Sequence, residues 1–308
     1  MASEFRKVML DGEAHAHLNV RAAVPTGRIR AVVQINHGMA EHCARYRRFA
    51  HALVEAGFGA YAHDHRGHGE TKAPGAALGQ FGPGGARAVM HDVLAVNNHI
   101  RRVHQDVPVV VFGHSMGSLI ALNFALTYPD HADALACWNT GTETGFLTAA
   151  SRLILGAEAL IKGRNAPSRI AYALTFATWN KVFKPNRTEF DWLSRDEAEV
   201  DAYVADPLCG FPVSIGMWQD VIGAVYAGAD SRRLARLPRT FPVHVLGGGA
   251  DPCTNNGRDM ERLAARMTKA GLTDVSCTIL PDTRHESLNE NNREQTTADF
   301  LSWLRDRF

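Results

Sequence analysis

At 308 residues, with 45% hydrophobic and 21% charged residues, the chain has material for one large α/β domain or two ordinary ones, with a sizeable core. A net charge of +1, with both signs scattered and no dense Lys/Arg face, argues against nucleic acid as a partner. The five cysteines (Cys43, Cys137, Cys209, Cys253 and Cys277) form no C-x-x-C pair, and neither a signal-like apolar block nor a run of 18 apolar residues occurs; these features predict reduced thiols in a soluble, cytoplasmic protein rather than a disulfide framework or a structural zinc site.

In chain order, "RIRAVVQINHG" (28–38) and "GFGAYAHDHRGHG" (57–69) each carry a strand. The helical pattern "EHCARYRRFAHALVEAG" lies between them and closes on Gly57, a suitable residue just past a helix end. A second helix is expected over "GARAVMHDVLAVNNHIRRVH". "VPVVVF" is apolar at every position, as a strand buried on both faces of a parallel sheet would be, and "ADALACWN" is the next strand. From about Thr142 to Pro238 the pattern turns helical, aromatic and punctuated by proline. Alternation resumes with a strand at "FPVHVLGGGAD", a helix at "NNGRDMERLAARMTKAG", a strand at "DVSCTIL" and a last helix near "NREQTTADFLSWLRDRF". A structureless loop of such length is implausible in a compact domain. The expected organisation is therefore a doubly wound, mostly parallel sheet from 1–141 and 239–308, with a helical cap, 142–238, inserted after the sixth strand.

Gly113-His114-Ser115-Met116-Gly117 sits where the all-apolar strand becomes the helix "SLIALNFAL". A sharp strand-to-helix turn needs small residues on both sides, and it leaves the Ser115 hydroxyl exposed beyond the carboxyl end of the sheet. G-x-S-x-G by itself also fits a phosphate-binding or merely tight turn. As a nucleophile, serine needs a base, and the base needs an orienting acid. Asp251, in the glycine-rich turn of "HVLGGGAD", and His285, in "TILPDTRHE", follow later strands in the order Ser, Asp, His. A second oxyanion donor is expected from the loop after the first parallel strand, at the Met39 N–H, with the Met116 N–H as its partner; removing one such donor typically slows turnover about 100- to 1,000-fold.

Taken together, "HGMAEH" (37–42), "DHRGHG" (64–69), "GHSMG" (113–117), "GGGADPCT" and "RHE" resemble the monoacylglycerol lipase and lysophospholipase branch of the α/β-hydrolase superfamily, which includes serine aminopeptidase S33-like members. The likeness spans roughly 30–140 and 240–308, and "FDWLSRDEAEVDAYVADPL" (190–208) is similar to the cap of bacterial members. The resemblance implies an α/β-hydrolase fold, a Ser115–His285–Asp251 triad, oxyanion donors at Met39 and Met116, no metal and no cofactor. One departure follows "DHRGHG", where many relatives have serine and this chain has Glu70-Thr71, read here as a change in a structural loop.

"H63DHRGH68" approaches the H-x-H-x-D-H pattern of dinuclear zinc hydrolases, but Gly67 stands where that pattern needs aspartate. The simpler expectation is that Asp64, Arg66 and His68 brace the loop through hydrogen bonds. In the cap, Phe146, Leu147, Ala150, Leu153, Ile154, Ala157, Leu160 and Ile161 fall on one helical face. That face either packs on the main domain or lines an acyl-chain tunnel and touches a lipid surface. Trp179, Phe183, Phe190, Trp192, Phe211 and Trp218 add aromatic surface, and Phe146, Leu147, Trp179 and Trp218 are the cap candidates for contact with substrate. The resulting expectation is a serine hydrolase of carboxylic esters with a single long acyl chain, a monoacylglycerol or lysophospholipid, with transient membrane contact. The alternatives are a short-chain carboxylesterase or peptidase of the same fold, or a binding module that lost its chemistry.

Overall fold

The computed structural model describes residues 4–308. Two strands, β1 (Arg6–Asp11) and β2 (His17–Ala23), form an antiparallel hairpin and join β4 (Gly59–His63) antiparallel. The remaining strands, β3 (Val32–Asn36), β5 (Val109–His114), β6 (Ala134–Trp138), β7 (Val243–Gly248) and β8 (Val275–Leu280), continue the sheet in parallel, in the order β1-β2-β4-β3-β5-β6-β7-β8. Every residue of β3 through β7 is buried, which is why these strands read as apolar runs rather than as alternations.

Helices α1 (Arg47–Glu55), α2 (Gly85–Val103) and α3 (Met116–Thr127) connect the first half of the sheet. The first turn of the helical stretch beginning at Cys43 is a tighter 3-10 turn over Cys43–Tyr46, and Gly57 follows α1 with φ +86°, the left-handed conformation expected of a closing glycine. Helix α3 is buried from Met116 to Leu126, packed between the sheet and a cap helix, so its apolar residues run all the way round. Between β6 and β7 lie α4 (Phe146–Lys162), α5 (Arg169–Leu174), α6 (Phe176–Lys181), α7 (Glu197–Ala205), α8 (Ile215–Ala229) and α9 (Ser231–Leu234), the helical cap inserted after the sixth strand. The core closes with α10 (Arg258–Lys269) and α11 (Arg293–Arg305). Helix α10 buries Met260, Leu263, Ala264 and Met267, spaced i, i+3, i+4, i+7. On the other side of the sheet Phe49, Phe112, Trp138 and Phe300 cluster, with Phe112 and Trp138 centroids 5.0 Å apart.

The chain winds outward from β3 to β4, then returns to the other side of β3 at β5. Parallel sheets bind ligands at such a reversal, beyond the carboxyl ends of the strands. Ser115 follows β5 there, and the loop carrying Met39 follows β3. Among the described residues no helix is long and apolar enough to cross a membrane.

Candidate active site

The turn at Ser115 is built by close approach. Its backbone has φ 54° and ψ −121°, an uncommon conformation for a non-glycine residue. A Cβ at Gly113 would lie 2.2 Å from the Gly117 carbonyl oxygen, and one at Gly117 would lie 2.1 Å from that of Asn36, so neither position admits a side chain without moving backbone. The Ser115 N–H donates to Trp138 O at 2.9 Å, anchoring the turn to the neighbouring strand.

The loops after β7 and β8 meet this turn. Ser115 Oγ lies 2.9 Å from His285 Nε2, and His285 Nδ1 lies 2.9 Å from Asp251 Oδ2. Asp251 is fully buried and also accepts from the Cys253 N–H (2.9 Å), Thr254 Oγ1 (3.0 Å) and Asn139 Nδ2 (3.2 Å). Three other donors already point at this carboxylate, so it is an ionised acceptor and the Nδ1 of His285 must carry the proton. Nε2 then has a lone pair free for the serine hydroxyl. The imidazole is wedged between Trp192 (centroids 4.7 Å apart) and His114 (5.0 Å), which fixes its plane.

Neither the Met39 N–H nor the Met116 N–H donates to another protein group among the described residues, and both residues line the same cavity as Ser115. The loop bearing Met39 is held from below. Glu41 accepts from the Gly38 N–H at 2.6 Å, from the Tyr46 hydroxyl at 2.9 Å and from Arg45 Nη1 at 2.7 Å. Arg45 also grips Glu286 with two bonds of 2.6 Å, linking this loop to the residue after His285. Burial pushes the Glu41 carboxyl up, but the Arg45 and His114 charges outweigh it and hold it well below the usual carboxylate range.

Above Ser115 opens a cavity of about 760 Å³, within the range of small-molecule sites. Phe146, Leu147, Trp179 and Trp218 all line it, Trp218 buried and Phe146 and Leu147 at its exposed mouth. Leu119, Leu155, Ile170 and Phe176 make much of the rest apolar, while Thr140, Asp259 and Arg262 mark a polar side. The apolar stripe of α4 does not pack on the main domain. Phe146, Leu160 and Ile161 are 84%, 91% and 83% exposed, and the helix is seated instead through Leu155 and Glu158, whose carboxylate accepts from Ser168 Oγ at 2.6 Å.

The histidine-rich loop is structural in its contacts. Asp64 accepts from the Cys43 and Glu70 N–H groups (both 2.8 Å) and from Asn19 Nδ2 (2.7 Å), and Arg66 pairs with Asp92 at 2.5 Å. Thr71, at the departure from the usual pattern, takes the Asn19 N–H and gives its own proton to Asp64 O. His37, His63, His65 and His68 are buried as a cluster, with His37 and His65 centroids 4.5 Å apart. Among the described residues two groups of three donors come close enough to hold a metal ion, His42 with Asp206 and Cys209, and Asp251 with Cys253 and His285; the second shares the residues that face Ser115.

Sequence reasoning did not single out Glu41, Arg45, Glu286 or Asn139. Two of them lie four residues apart in "HGMAEHCAR", a spacing that brings opposite charges together on a helical turn. No local pattern pairs Arg45 with Glu286.

A family profile described as "Serine aminopeptidase, S33" matches residues 27–292. The chain is 30% identical over 257 residues to a monoglyceride lipase of Rattus norvegicus, covering 81% of this chain and 74% of that protein. It is 28% identical over 286 residues to a monoacylglycerol lipase of Mycolicibacterium smegmatis, covering 89% and 88%. Among solved structures, a thermostable carboxyl esterase from Bacillus coagulans in complex with glycerol superposes with a TM-score of 0.87 at 23% identity, covering 99% of each chain.

Proposed function

Because the chain belongs to the serine aminopeptidase S33 family of α/β-hydrolases, we propose that it hydrolyses carboxylic esters with a single long acyl chain through a Ser115 acyl-enzyme. The observation that carries this reading is the hydrogen-bonded line from Ser115 Oγ through His285 to Asp251 at the floor of a largely apolar cavity. The monoglyceride and monoacylglycerol lipases among its relatives support the substrate class.

On this reading Ser115 Oγ attacks the ester carbonyl while His285 Nε2 takes its proton. Asp251 steadies the imidazolium that forms. The negative charge on the carbonyl oxygen is met by the Met39 and Met116 N–H groups, and the helix α3 N-terminus lies behind the latter. His285 returns the proton to the leaving alcohol. Water, activated by the same histidine, then attacks the acyl-enzyme and releases the acid and free Ser115. The acyl chain runs into the cavity under the cap, and the exposed α4 stripe faces a lipid surface from which such a substrate would be drawn.

The test is kcat/KM on nitrophenyl esters from two to sixteen acyl carbons, with Ser115→Ala as control. Each methylene buried in the cavity contributes up to about 0.8 kcal/mol, close to fourfold per carbon if realised in the transition state. A rise through medium and long chains is expected, with no turnover by Ser115→Ala. A maximum at two to four carbons would replace this reading with a short-chain esterase, and full activity in Ser115→Ala would remove the mechanism.

A further inference from the structure

His114, the residue before Ser115, is buried with an acceptor at each ring nitrogen. Its Nδ1 lies 3.3 Å from Glu41 Oε1, and its Nε2 lies 3.0 Å from the main-chain carbonyl oxygen of His285. A backbone carbonyl has no proton to give. Glu41 has none either, because its two oxygens already accept from Gly38 N–H, Tyr46 Oη and Arg45 Nη1. A neutral imidazole has one N–H and one lone pair, so one of these two contacts would set lone pair against lone pair in a buried site. Only a ring protonated on both nitrogens satisfies both.

We infer that His114 is a buried imidazolium that positions the histidine of the triad by tying the His285 carbonyl to the carboxylate that also holds the oxyanion loop at Gly38. The inference rests on the triad proposed above. His114 is a positioning residue, since it acts on the main chain of His285 and on the loop that presents Met39.

The charges around the ring are consistent with a proton held there. Glu41, Arg45, Tyr46 and Arg48 face it from the oxyanion loop and α1, and Glu286 and His285 face it from the loop before α11. Burial alone would draw the ring's pKa down. The hydrogen bond and charge of Glu41, with Glu286 behind it, outweigh burial and leave it above its ordinary value of 6.5. Glu41 and Glu286 thus balance Arg45 and the imidazolium, while Arg48 at the edge pairs with Glu199 outside this group. When His114 finally loses its proton, one of its two bonds must go, and with it the tie between the two loops.

Two measurements test this. In protein labelled with 15N-histidine, two-bond N–H correlation spectra at pH 8 should show the ring that His114→Gln removes with both nitrogens protonated, where an ordinary histidine is neutral. In kinetics on a water-soluble ester, the wild-type kcat/KM should fall on the alkaline side with the midpoint of that NMR titration. His114→Gln keeps a donor but cannot titrate. It should run roughly 10- to 100-fold slower at neutral pH, the range for a lost bond to a charged group, mostly in kcat, and should lack that alkaline limb. A singly protonated His114 ring at pH 8 would overturn the inference, as would a His114→Gln enzyme with wild-type kcat and an unchanged alkaline limb. Should His114→Gln not fold, the same ring is identified by His114→Asn or by its proximity to Tyr46 in the wild type, and the spectrum decides alone. The spectrum does not depend on turnover, so a failure of the ester-hydrolase reading shows separately, as activity surviving in Ser115→Ala.

Discussion

Lowering the pH from 7 to 5 should cost this protein about 6 kcal/mol of stability, and most of the effect originates in the histidine cluster beside the loop that carries Met39. His63 and His68 are fully buried, and burial, with His37 adjacent, lowers each to about 3. His244, buried against Trp138 and Trp303, is lowered by burial to about 3 as well. His37 and His65 are shifted in the same direction. Both nitrogens of His63 and of His65 lack a hydrogen-bond partner, so a proton added to either ring would gain nothing to offset its burial. The unfolded chain binds these protons near pH 6.5 and the native state only near 3. The stabilising term is therefore fully present above 6.5 and is lost as pH falls through that window. At pH 5 each ring with a native pKa of about 3 lowers stability by about 2 kcal/mol. The three such rings sum to about 6 kcal/mol, against a total stability on the order of 5–15 kcal/mol for ordinary domains. His114, with its raised pKa, opposes the trend, but as a single ring it is outweighed. Urea denaturation at pH steps between 5 and 8, followed by circular dichroism, measures the slope. His63→Leu, which puts an apolar side chain where no polar partner exists, should remove about 2 kcal/mol of the loss. A stability unchanged from pH 7 to 5 would refute the reasoning.

Two further outcomes concern the site and the cap. Asp251→Asn should lower kcat about 10,000-fold with the fold intact by circular dichroism, because an amide N–H facing Nδ1 forces the His285 proton onto Nε2, opposite Ser115; a loss of tenfold or less would mean that Asp251 does not set the tautomer. Leu160→Glu with Ile161→Glu should weaken sedimentation with phosphatidylcholine vesicles, leave hydrolysis of a water-soluble ester unchanged and alter stability by no more than about 0.5 kcal/mol, as substitutions at exposed positions usually do. Equal vesicle binding by the variant would show that the α4 stripe does not meet lipid.

Much of the sheet was legible because burial on both faces leaves a signature that needs no context. "VPVVVF" and "ADALACWN" can be little else than central strands, and α10 carries its i, i+3, i+4, i+7 pattern openly. Ser115, Asp251 and His285 were readable because each lies in the loop after a strand, and a parallel sheet gathers those loops on one edge. Helix α4 defeated the same logic. An apolar stripe tells which side of a helix avoids water in some state of the protein, and it does not say whether the other surface is the core, a ligand or a membrane. Glu158, a charged residue, is buried there beside Leu155, its carboxylate satisfied by Ser168 and Lys162. The Glu41–Arg45–Glu286 link was illegible for a different reason: 241 residues separate Arg45 from Glu286, and only the closure of the sheet brings them together.

The cap contributes more to the proposed chemistry than a cover over the cavity. The Trp192 carbonyl accepts the His285 N–H at 3.4 Å, the Leu193 carbonyl accepts the Glu286 N–H at 2.8 Å, and the Trp192 ring lies against the imidazole. On the other side of Ser115, the Ala40 carbonyl, with φ +55° at that residue, is held by the Tyr203 hydroxyl and the Gly210 N–H, both at 2.9 Å. One continuous stretch of cap, 192–210, therefore grips both the loop that carries His285, the proposed base, and the loop that carries Met39, a proposed oxyanion donor. A cap that swung away as a rigid lid would release both grips at once, at a cost of several hydrogen bonds of about 1 kcal/mol each. The segment carrying the exposed α4 stripe has no such ties to those loops; it is held on α8 instead, as where Gln219 Nε2 donates to the Leu155 carbonyl at 3.1 Å, so a displacement of α4 and α5 would leave both grips intact.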